Sequence, residues 1–154
     1  MYWPDRDAHL TKRLSFLGKE LREAFGAMLA EQGATIPTWA VLNAAHDNPG
    51  LSQINLATQI GIEGPTIARH LDRMSAGGLV ERRRDPTDRR IVRIVLTDAG
   101  EDRWAELKQV GEAMEARVTP YLSAEQRSAL DEAIVSIHRA LEDAHVIVNV
   151  NVRS

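Results

Sequence analysis

One stretch of the chain, residues 51–97, changes its pattern twice and leaves few folds open. Two short helical patterns come first, and Gly61 separates them. Ser52 is a suitable N-cap for the first helix, and Pro65 suits the first turn of the second, where a missing amide hydrogen costs nothing. The second pattern stops at Gly77–Gly78. Two short helices joined at a glycine turn predict a helix-turn-helix.

After these helices, the spacing of apolar residues becomes that of strands. Residues 79–84 and 91–96 predict two strands, and the second is rich in β-branched side chains. The sequence Asp-Pro-Thr-Asp at 85–88 supplies the turn between them. A hairpin directly after the second helix is a wing. The segment therefore predicts a winged helix-turn-helix.

Long helical patterns flank this segment on both sides, so the predicted fold is mainly α with a small β wing. The first helix spans Asp7 to Glu31, and a second is predicted from Thr38 to Asp47. Thr97 caps a long helix, and Ser123 begins a last one through a capping box. We expect three parts: an N-terminal helical part at 1–36, the winged helix-turn-helix at 37–100 and a C-terminal helical part at 101–154.

Two leucine-rich stripes lie on the first and last helices. Their members are Leu10, Leu14, Leu17, Leu130, Ile134, Ile137 and Leu141. One small winged domain cannot bury both stripes, so we expect a second copy of the chain to cover them. The alternative is that the stripes bury each other within one chain.

Charge is distributed unevenly along the chain. Residues 66–93 hold eight arginines and four acids, a net charge of +4, although the whole chain carries −3. A basic segment between acidic ends indicates one face for a polyanion. The alternative, which the charge alone leaves open, is a solvated hairpin that happens to be rich in arginine. A surface salt bridge contributes only about 0–1 kcal/mol, so a purely structural role for so many arginines is weakly motivated.

The second short helix is amphipathic in a manner that suits a DNA groove. At 100° per residue, Ile67, Leu71 and Met74 share one side. The polar side and the adjoining capping and wing positions predict the DNA contacts, because arginine reads guanine and a helix N-terminus favours phosphate. The predicted DNA-binding residues are Thr38, Ser52, Gly64, Pro65, Thr66, Arg69, His70, Arg73, Asp88, Arg89 and Arg90.

Residues 51–100 resemble the winged helix-turn-helix of the MarR family of regulators, and within it the SlyA-like group. The resemblance is carried by "INLATQIGIEGPTIARHLDRMSAGGLVERRRDPTDRRIVRIVLTDAG". It implies a homodimeric transcription regulator. Together with the other sequence features, we expect a cytoplasmic, ligand-responsive repressor that binds a double-stranded DNA pseudo-palindrome. The resemblance also implies that Arg69 acts from the recognition helix and that Arg90, paired with Asp88, enters the minor groove.

The resemblance further implies a site for a small aromatic anion between the DNA-binding lobe and the dimer helices. Five residues are the candidate lining, with Arg13 to pair a carboxylate and Trp39 to stack: Arg13, Phe16, Leu17, Trp39 and His46. The alternative is that Trp39 belongs to the core and Arg13 is solvated. No cofactor and no membrane contact are expected.

Other classes of function find less support in the sequence. No serine-nucleophile motif, phosphate-binding glycine loop or HExxH motif is present, so we expect no enzyme. The absence of cysteine excludes a thiol sensor. No metal site is predicted, although His138 and His145 leave a zinc-responsive regulator as an alternative. A winged-helix protein–protein adaptor that does not bind DNA is the other.

Overall fold

A computed structural model describes residues 7–143 of the chain. Within that range a short 3₁₀ turn, Thr119–Tyr121, precedes the last helix, and none of the helices is long and apolar enough to cross a membrane. The elements in chain order are α1 (Leu10–Glu31), α2 (Ile36–Asp47), α3 (Gln53–Ile60), α4 (Gly64–Ala76), β1 (Val80–Arg84), β2 (Val92–Leu96), α5 (Asp98–Val118) and α6 (Ala124–Asp143). This mainly helical fold with one hairpin is the predicted winged helix-turn-helix.

Local signals place the two short helices as predicted. The Ser52 hydroxyl accepts the Asn55 amide at 3.1 Å, so Ser52 caps α3. Gly61 ends α3 in the left-handed region with φ +68°, which glycine adopts without steric cost. α4 carries Pro65 in its first turn and ends before Gly77. Both helices have their predicted bounds because each signal acts within its own turn.

Two helix starts differ from the predicted ones. α2 begins at Ile36, two residues before the predicted Thr38, because the Thr35 side chain caps it by accepting the Thr38 amide at 3.3 Å. Pro37 is accommodated in the first turn, where no amide hydrogen is needed. α1 begins at Leu10 rather than at Asp7, with His9 as its N-cap residue.

A single core joins the first five helices to the hairpin. Seven of its large side chains, from α1, α2, α3, α4, β2 and α5, are fully buried: Leu29, Leu42, Leu56, Ile67, Leu71, Ile94 and Leu107. Burying each such side chain stabilises the fold by roughly 1.5–3 kcal/mol. The C-terminal end of α1 and the N-terminal half of α5 therefore belong to the same folded unit as the helix-turn-helix.

The hairpin is an antiparallel pair whose register runs from Val80 opposite Leu96 to Arg84 opposite Val92. Its far side is extended by a single bridge between Ser52 and Arg93. Thr97 closes the base of the hairpin, because its hydroxyl donates to the Gly78 carbonyl at 2.5 Å and accepts the Gly100 amide at 3.0 Å. One threonine thus caps α5 and ties its start to the end of α4.

The two leucine-rich stripes remain uncovered within one chain. α6 buries none of its residues, and Leu130, Ile134 and Leu141 are 43%, 55% and 41% exposed. On α1, Leu10 and Leu17 are 61% and 40% exposed. The alternative that the stripes bury each other is therefore wrong. The tail at 146–154 lies outside the described residues.

Candidate nucleic-acid interface

α4 presents one packed side and one open side. Ile67 and Leu71 are fully buried and Met74 is 5% exposed, so the predicted apolar anchor is confirmed. The open side begins with four exposed residues of the first two turns: Gly64, Pro65, Thr66 and Arg69. Glu63, the N-cap residue, makes no side-chain cap hydrogen bond. Pro65 has no amide hydrogen, and the Thr66 amide donates to the Glu63 carbonyl at 3.0 Å. Among residues 7–143 the Gly64 amide has no acceptor, so it is open to donate to a phosphate.

Three basic side chains lie on this open side and differ in their partners. Arg69 is exposed and has no hydrogen-bond or ion-pair partner among residues 7–143. Arg73 donates through Nη2 to Nδ1 of His70 at 2.8 Å. Burial, and then the Arg73 charge, lower the pKa of His70, which favours the neutral ring that this hydrogen bond requires. Arg69 is thus available to a ligand, and Arg73 is held beside His70.

The tip of the wing carries a second basic group. Arg90 donates from Nε to Asp88 Oδ1 at 3.1 Å and from Nη2 to Oδ2 at 3.2 Å. This hydrogen bonding lowers the pKa of Asp88 and keeps the carboxyl ionised. The Arg90 side chain is nevertheless 91% exposed, and Arg89 beside it is exposed too. The carboxylate therefore orients the Arg90 guanidinium without burying it.

The wing turn is organised by a residue that was not predicted as part of the site. Asp85 is only 4% exposed, and its Oδ1 accepts the Thr87 hydroxyl at 2.6 Å and the amides of Thr87 and Asp88 at 2.8 and 3.0 Å. These hydrogen bonds, led by that of the Thr87 hydroxyl, lower the pKa of Asp85 far below its ordinary value. An aspartate at the first position of a turn is the sequence signal that could have identified it.

Arg93 connects this turn to the rest of the molecule. Its Nε donates to Asp85 Oδ2 at 2.5 Å, and its Nη1 donates to the carbonyl of Gly50 at 2.9 Å. Gly50 lies in the turn before α3, so no local sequence pattern could have indicated this contact. The prediction that the arginines of this segment have little structural role is therefore wrong for Arg93, because its partners are a buried carboxylate and a backbone carbonyl rather than a solvated acid.

We expect Asp85→Asn to loosen the wing, because asparagine has one acceptor oxygen where aspartate has two. It cannot accept hydrogen bonds from Thr87, Asp88 and Arg93 together, and it carries no charge to balance that of Arg93. Since the folded-state pKa of Asp85 lies below its ordinary 3.8, its contribution to stability is complete above that pH and is lost as the pH falls through and below it. Hydrogen–deuterium exchange should show faster exchange of the Thr87 and Asp88 amides in the variant, and its acid unfolding should depend less on pH.

Asp47→Asn is the matched control, since Asp47 is exposed at the end of α2. It should leave both the wing amides and the acid unfolding unchanged. Equal exchange rates in the Asp85 variant and the unaltered protein would contradict the assigned role.

The remaining predicted DNA-binding residues lie at two helix starts. Ser52 is half-buried at the start of α3, and a cleft of about 410 Å³ separates the residues that follow it from the wing residues 90–93. Thr38 lies in the first turn of α2, where its hydroxyl is 3.0 Å from that of Thr35. The structure brings Ser52 beside the wing, whereas Thr38 makes its hydrogen bonds within its own turn.

The five candidate pocket residues are divided between several surroundings. Trp39 packs edge-on against Phe25, with ring centroids 4.9 Å apart, and lines a cavity of about 460 Å³ together with Arg22 and Asn43. Arg13, Phe16, Leu17 and His46 do not line that cavity. Arg13 instead has a buried Nε with no hydrogen-bond partner among residues 7–143. A buried donor without a partner is costly, so an acceptor at this atom would stabilise the folded chain.

His46 makes two contacts with α5. Its ring stacks on Trp104 at a centroid distance of 3.4 Å, and its Nδ1 lies 2.7 Å from Glu101 Oε2. Trp104 in turn donates from Nε1 to Asn43 Oδ1 at 2.8 Å. These contacts fix the position of α2 against α5. No sequence pattern indicates them, because the partners are far apart along the chain.

Among residues 7–143, no three potential zinc ligands lie close enough together to hold a metal ion. The structure therefore gives no support to the zinc-responsive alternative in that range. His138 is paired with Glu142 at 3.5 Å on the exposed surface of α6. His145, the other histidine considered, lies outside the described residues.

Residues 34–92, which comprise α2 to the start of β2, match the model of the MarR family. Members of that family are transcription regulators and not enzymes. The match contains the open side of α4 and the whole wing turn, so it covers the candidate interface.

Solved structures give the same fold. The transcriptional repressor CouR, bound to a 23-mer DNA duplex, is 29% identical, with 90% of this chain and 98% of that chain covered and a TM-score of 0.79. The PcaV transcriptional regulator from Streptomyces coelicolor, in complex with its natural ligand, is 28% identical, with 91% and 99% covered and a TM-score of 0.75. A mutant MarR from E. coli, complexed with operator DNA, is 22% identical, with 83% of this chain and 92% of that chain covered and a TM-score of 0.75. At this identity the similarity indicates a shared fold and nothing more.

Proposed function

We propose, from the MarR-type winged helix that contains residues 34–92, that this chain is a cytoplasmic, homodimeric transcription regulator of the SlyA-like group. It acts as a ligand-responsive repressor that binds a double-stranded DNA pseudo-palindrome. In this proposal residues 37–100 bind DNA, and residues 1–36 and 101–154 form the dimer. CouR supports the DNA-binding part, since its structure contains a DNA duplex.

The observation that carries the proposal is the division of α4 into a buried apolar side and an open side that carries Arg69. A helix held in this way can lie in the major groove, where arginine binds O6 and N7 of guanine with two hydrogen bonds. The exposed guanidinium of Arg90 extends from the wing and would enter the minor groove, where the negative potential is concentrated. Thr66, His70, Arg73 and Arg89 complete the proposed contacts, together with Thr38, Ser52, Gly64, Pro65 and Asp88.

The exposed stripes on α1 and α6 support the dimer. Apolar side chains that stay open in one chain lose contact with water when a second copy covers them, and an interface between identical chains uses the same surface of both. A twofold dimer places its two recognition helices about 34 Å apart, which is one turn of DNA. The proposed interface residues are Leu10, Leu14, Leu17, Leu130, Ile134, Ile137 and Leu141.

Ligand response is the third part of the proposal. The buried Nε of Arg13 has no acceptor among residues 7–143, and a carboxylate of a small aromatic anion would supply one. Phe16, Leu17, Trp39 and His46 are the other proposed lining residues. The PcaV structure, which contains a natural ligand, supports ligand binding in this fold.

Arg69→Ala and Arg90→Ala test the DNA-binding proposal. We expect Arg69→Ala to weaken operator binding by about 1–3 kcal/mol and to relax the sequence preference at one position, because Arg69 reads a base. Arg90→Ala should weaken binding more evenly across sequences. Gel-shift titration measures both affinities, and circular dichroism checks that each variant is folded.

The unaltered protein distinguishes the proposal from the adaptor alternative by its salt dependence. If the protein contacts six to ten phosphates, raising the salt concentration from 50 to 200 mM should lower its affinity for DNA by roughly 10³–10⁵-fold. A protein that binds no duplex even at low salt, or full operator affinity in both arginine variants, would exclude this mode of recognition.

A further inference from the structure

Arg82 lies in β1, but its side chain turns back onto the recognition helix α4. Its Nη1 donates to Asp72 Oδ1 at 2.5 Å, and its Nη2 donates to the carbonyl of Ala68 at 2.8 Å. The Arg82 side chain is 29% exposed. One guanidinium therefore joins the wing to the side of α4 through two donors.

The two acceptors are four residues apart, so they lie above one another on the same flank of the helix. Arg69 and Arg73 each follow one of these acceptors directly in sequence. Because successive residues are 100° apart, the rotation that places Ala68 and Asp72 against Arg82 also sets the direction of Arg69 and Arg73. A rotation of about 20° would move a side-chain tip roughly 5–6 Å from the axis by roughly 2 Å.

Recognition of a base by two hydrogen bonds tolerates much less than that displacement. We propose that Arg82 is a positioning residue for base recognition, which fixes the rotation of α4 against the wing and does not itself bind DNA phosphates. This inference rests on the proposed function.

Electrostatics distinguishes Arg82 from the arginines that are open to DNA. The Asp72 carboxylate lies 2.5 Å from its guanidinium, so the pair presents little net charge to a phosphate. A phosphate would also have to displace hydrogen bonds that both terminal nitrogens already make. Arg69, in contrast, has no acidic partner among residues 7–143, so its charge on the neighbouring part of the helix is open to a phosphate or a base.

Arg83, the next residue of β1, offers a matched control. It is paired with Glu81 of its own strand at 2.6 Å, and its side chain is 62% exposed. Since neighbouring strand residues point to opposite faces, Arg83 makes no such contact with α4. Replacing Arg83 by alanine changes the charge of the wing by the same amount as replacing Arg82, but it keeps the two hydrogen bonds between Arg82 and α4.

The first experiment compares Arg82→Ala, Arg82→Lys and Arg83→Ala on a duplex selected by the unaltered protein and on an unrelated duplex, over a range of salt concentrations. We expect Arg82→Ala to lower the ratio of the two affinities about 10-fold, the effect of one lost base contact, with an unchanged salt slope. Arg82→Lys should behave similarly, because a single ammonium cannot hold both acceptors in this geometry. Arg83→Ala should keep the ratio.

A double-mutant cycle with Asp72→Ala examines whether the pair acts as a unit. The two substitutions together should cost no more selectivity than either alone. Fully additive losses, rescue by lysine, or a salt slope reduced by about one with equal loss on both duplexes would overturn the positioning role. The last two results would instead make Arg82 a phosphate contact.

A measurement without DNA separates this inference from the proposed function. The chain has no cysteine, so Ser75→Cys on α4 and Arg89→Cys on the wing can carry spin labels at defined positions. Double electron–electron resonance should give a broader intramolecular distance distribution when Arg82→Ala is added. An unchanged distribution would contradict the inference. Failure of the unaltered protein to select any duplex would contradict the proposed function alone.

Discussion

Ile137→Asp is expected to give a monomeric protein that has lost most of its affinity for operator DNA. Ile137 lies in the α6 stripe, whose other members stay open to solvent in one chain. A carboxylate placed in an apolar interface is left without a partner, and burying it is strongly unfavourable. Because a monomer reaches one half-site at a time, affinity should fall by a factor of about 100 or more.

Light scattering measures the mass, and gel-shift titration measures the affinity. Leu17→Asp should have the same two effects from the α1 side, since Leu17 is 40% exposed in the single chain. Ser136→Asp adds the same charge at an exposed position outside the stripe, about 100° around α6 from Ile137, and should leave the dimer intact. Dimeric Leu17 and Ile137 variants would place the interface elsewhere on the molecule.

Gly100→Ala is expected to destabilise the fold by about 3 kcal/mol, at the upper end of the usual effect of overpacking. A Cβ at this position would overlap the carbonyl oxygen of Leu79 and lie 3.3 Å from Cβ of Leu96. The Leu79 oxygen cannot move away freely, because the carbonyl belongs to the backbone at the base of the wing and accepts the Thr97 amide at 3.1 Å. Urea denaturation followed by circular dichroism measures the change.

Gly111→Ala in the same helix provides a control of opposite sign. No atom lies within 4 Å of a Cβ at Gly111, and alanine is preferred over glycine inside a helix by about 1 kcal/mol. Gly111→Ala should therefore raise the free energy of unfolding. If both variants are equally stable, the close approach of α5 to the base of the wing does not require glycine at position 100.

The positions of α3 and α4 could be predicted from the sequence because their boundaries depend on local interactions. Ser52, Gly61 and Pro65 act through hydrogen bonds and backbone angles within one turn. The start of α2 could not be placed in the same way. Both Thr35 and Thr38 are suitable caps, and the choice of Thr35 became apparent only in the folded chain.

The candidate interface was also predicted in part. Arg69 and Arg90 could be named because a helical period and a turn fix which side chains are exposed. The contacts that hold α4, the wing and the neighbouring helices in place could not be predicted. His46 meets Trp104, Arg93 meets Gly50 and Arg82 meets Asp72 across separations that no spacing rule describes.

The sequence by itself determined the order of helices and strands, the amphipathic pattern of α4 and the segment in which positive charge accumulates, since each depends on neighbours in the chain. The tertiary structure decided which arginines are open and which are engaged. Arg69 projects from the outer side of α4, whereas Arg82 and Arg93 bind acceptors that folding brings beside them. The reason is physical: a guanidinium has the same charge and donors wherever it occurs, and only the acceptors that fold around it fix its role.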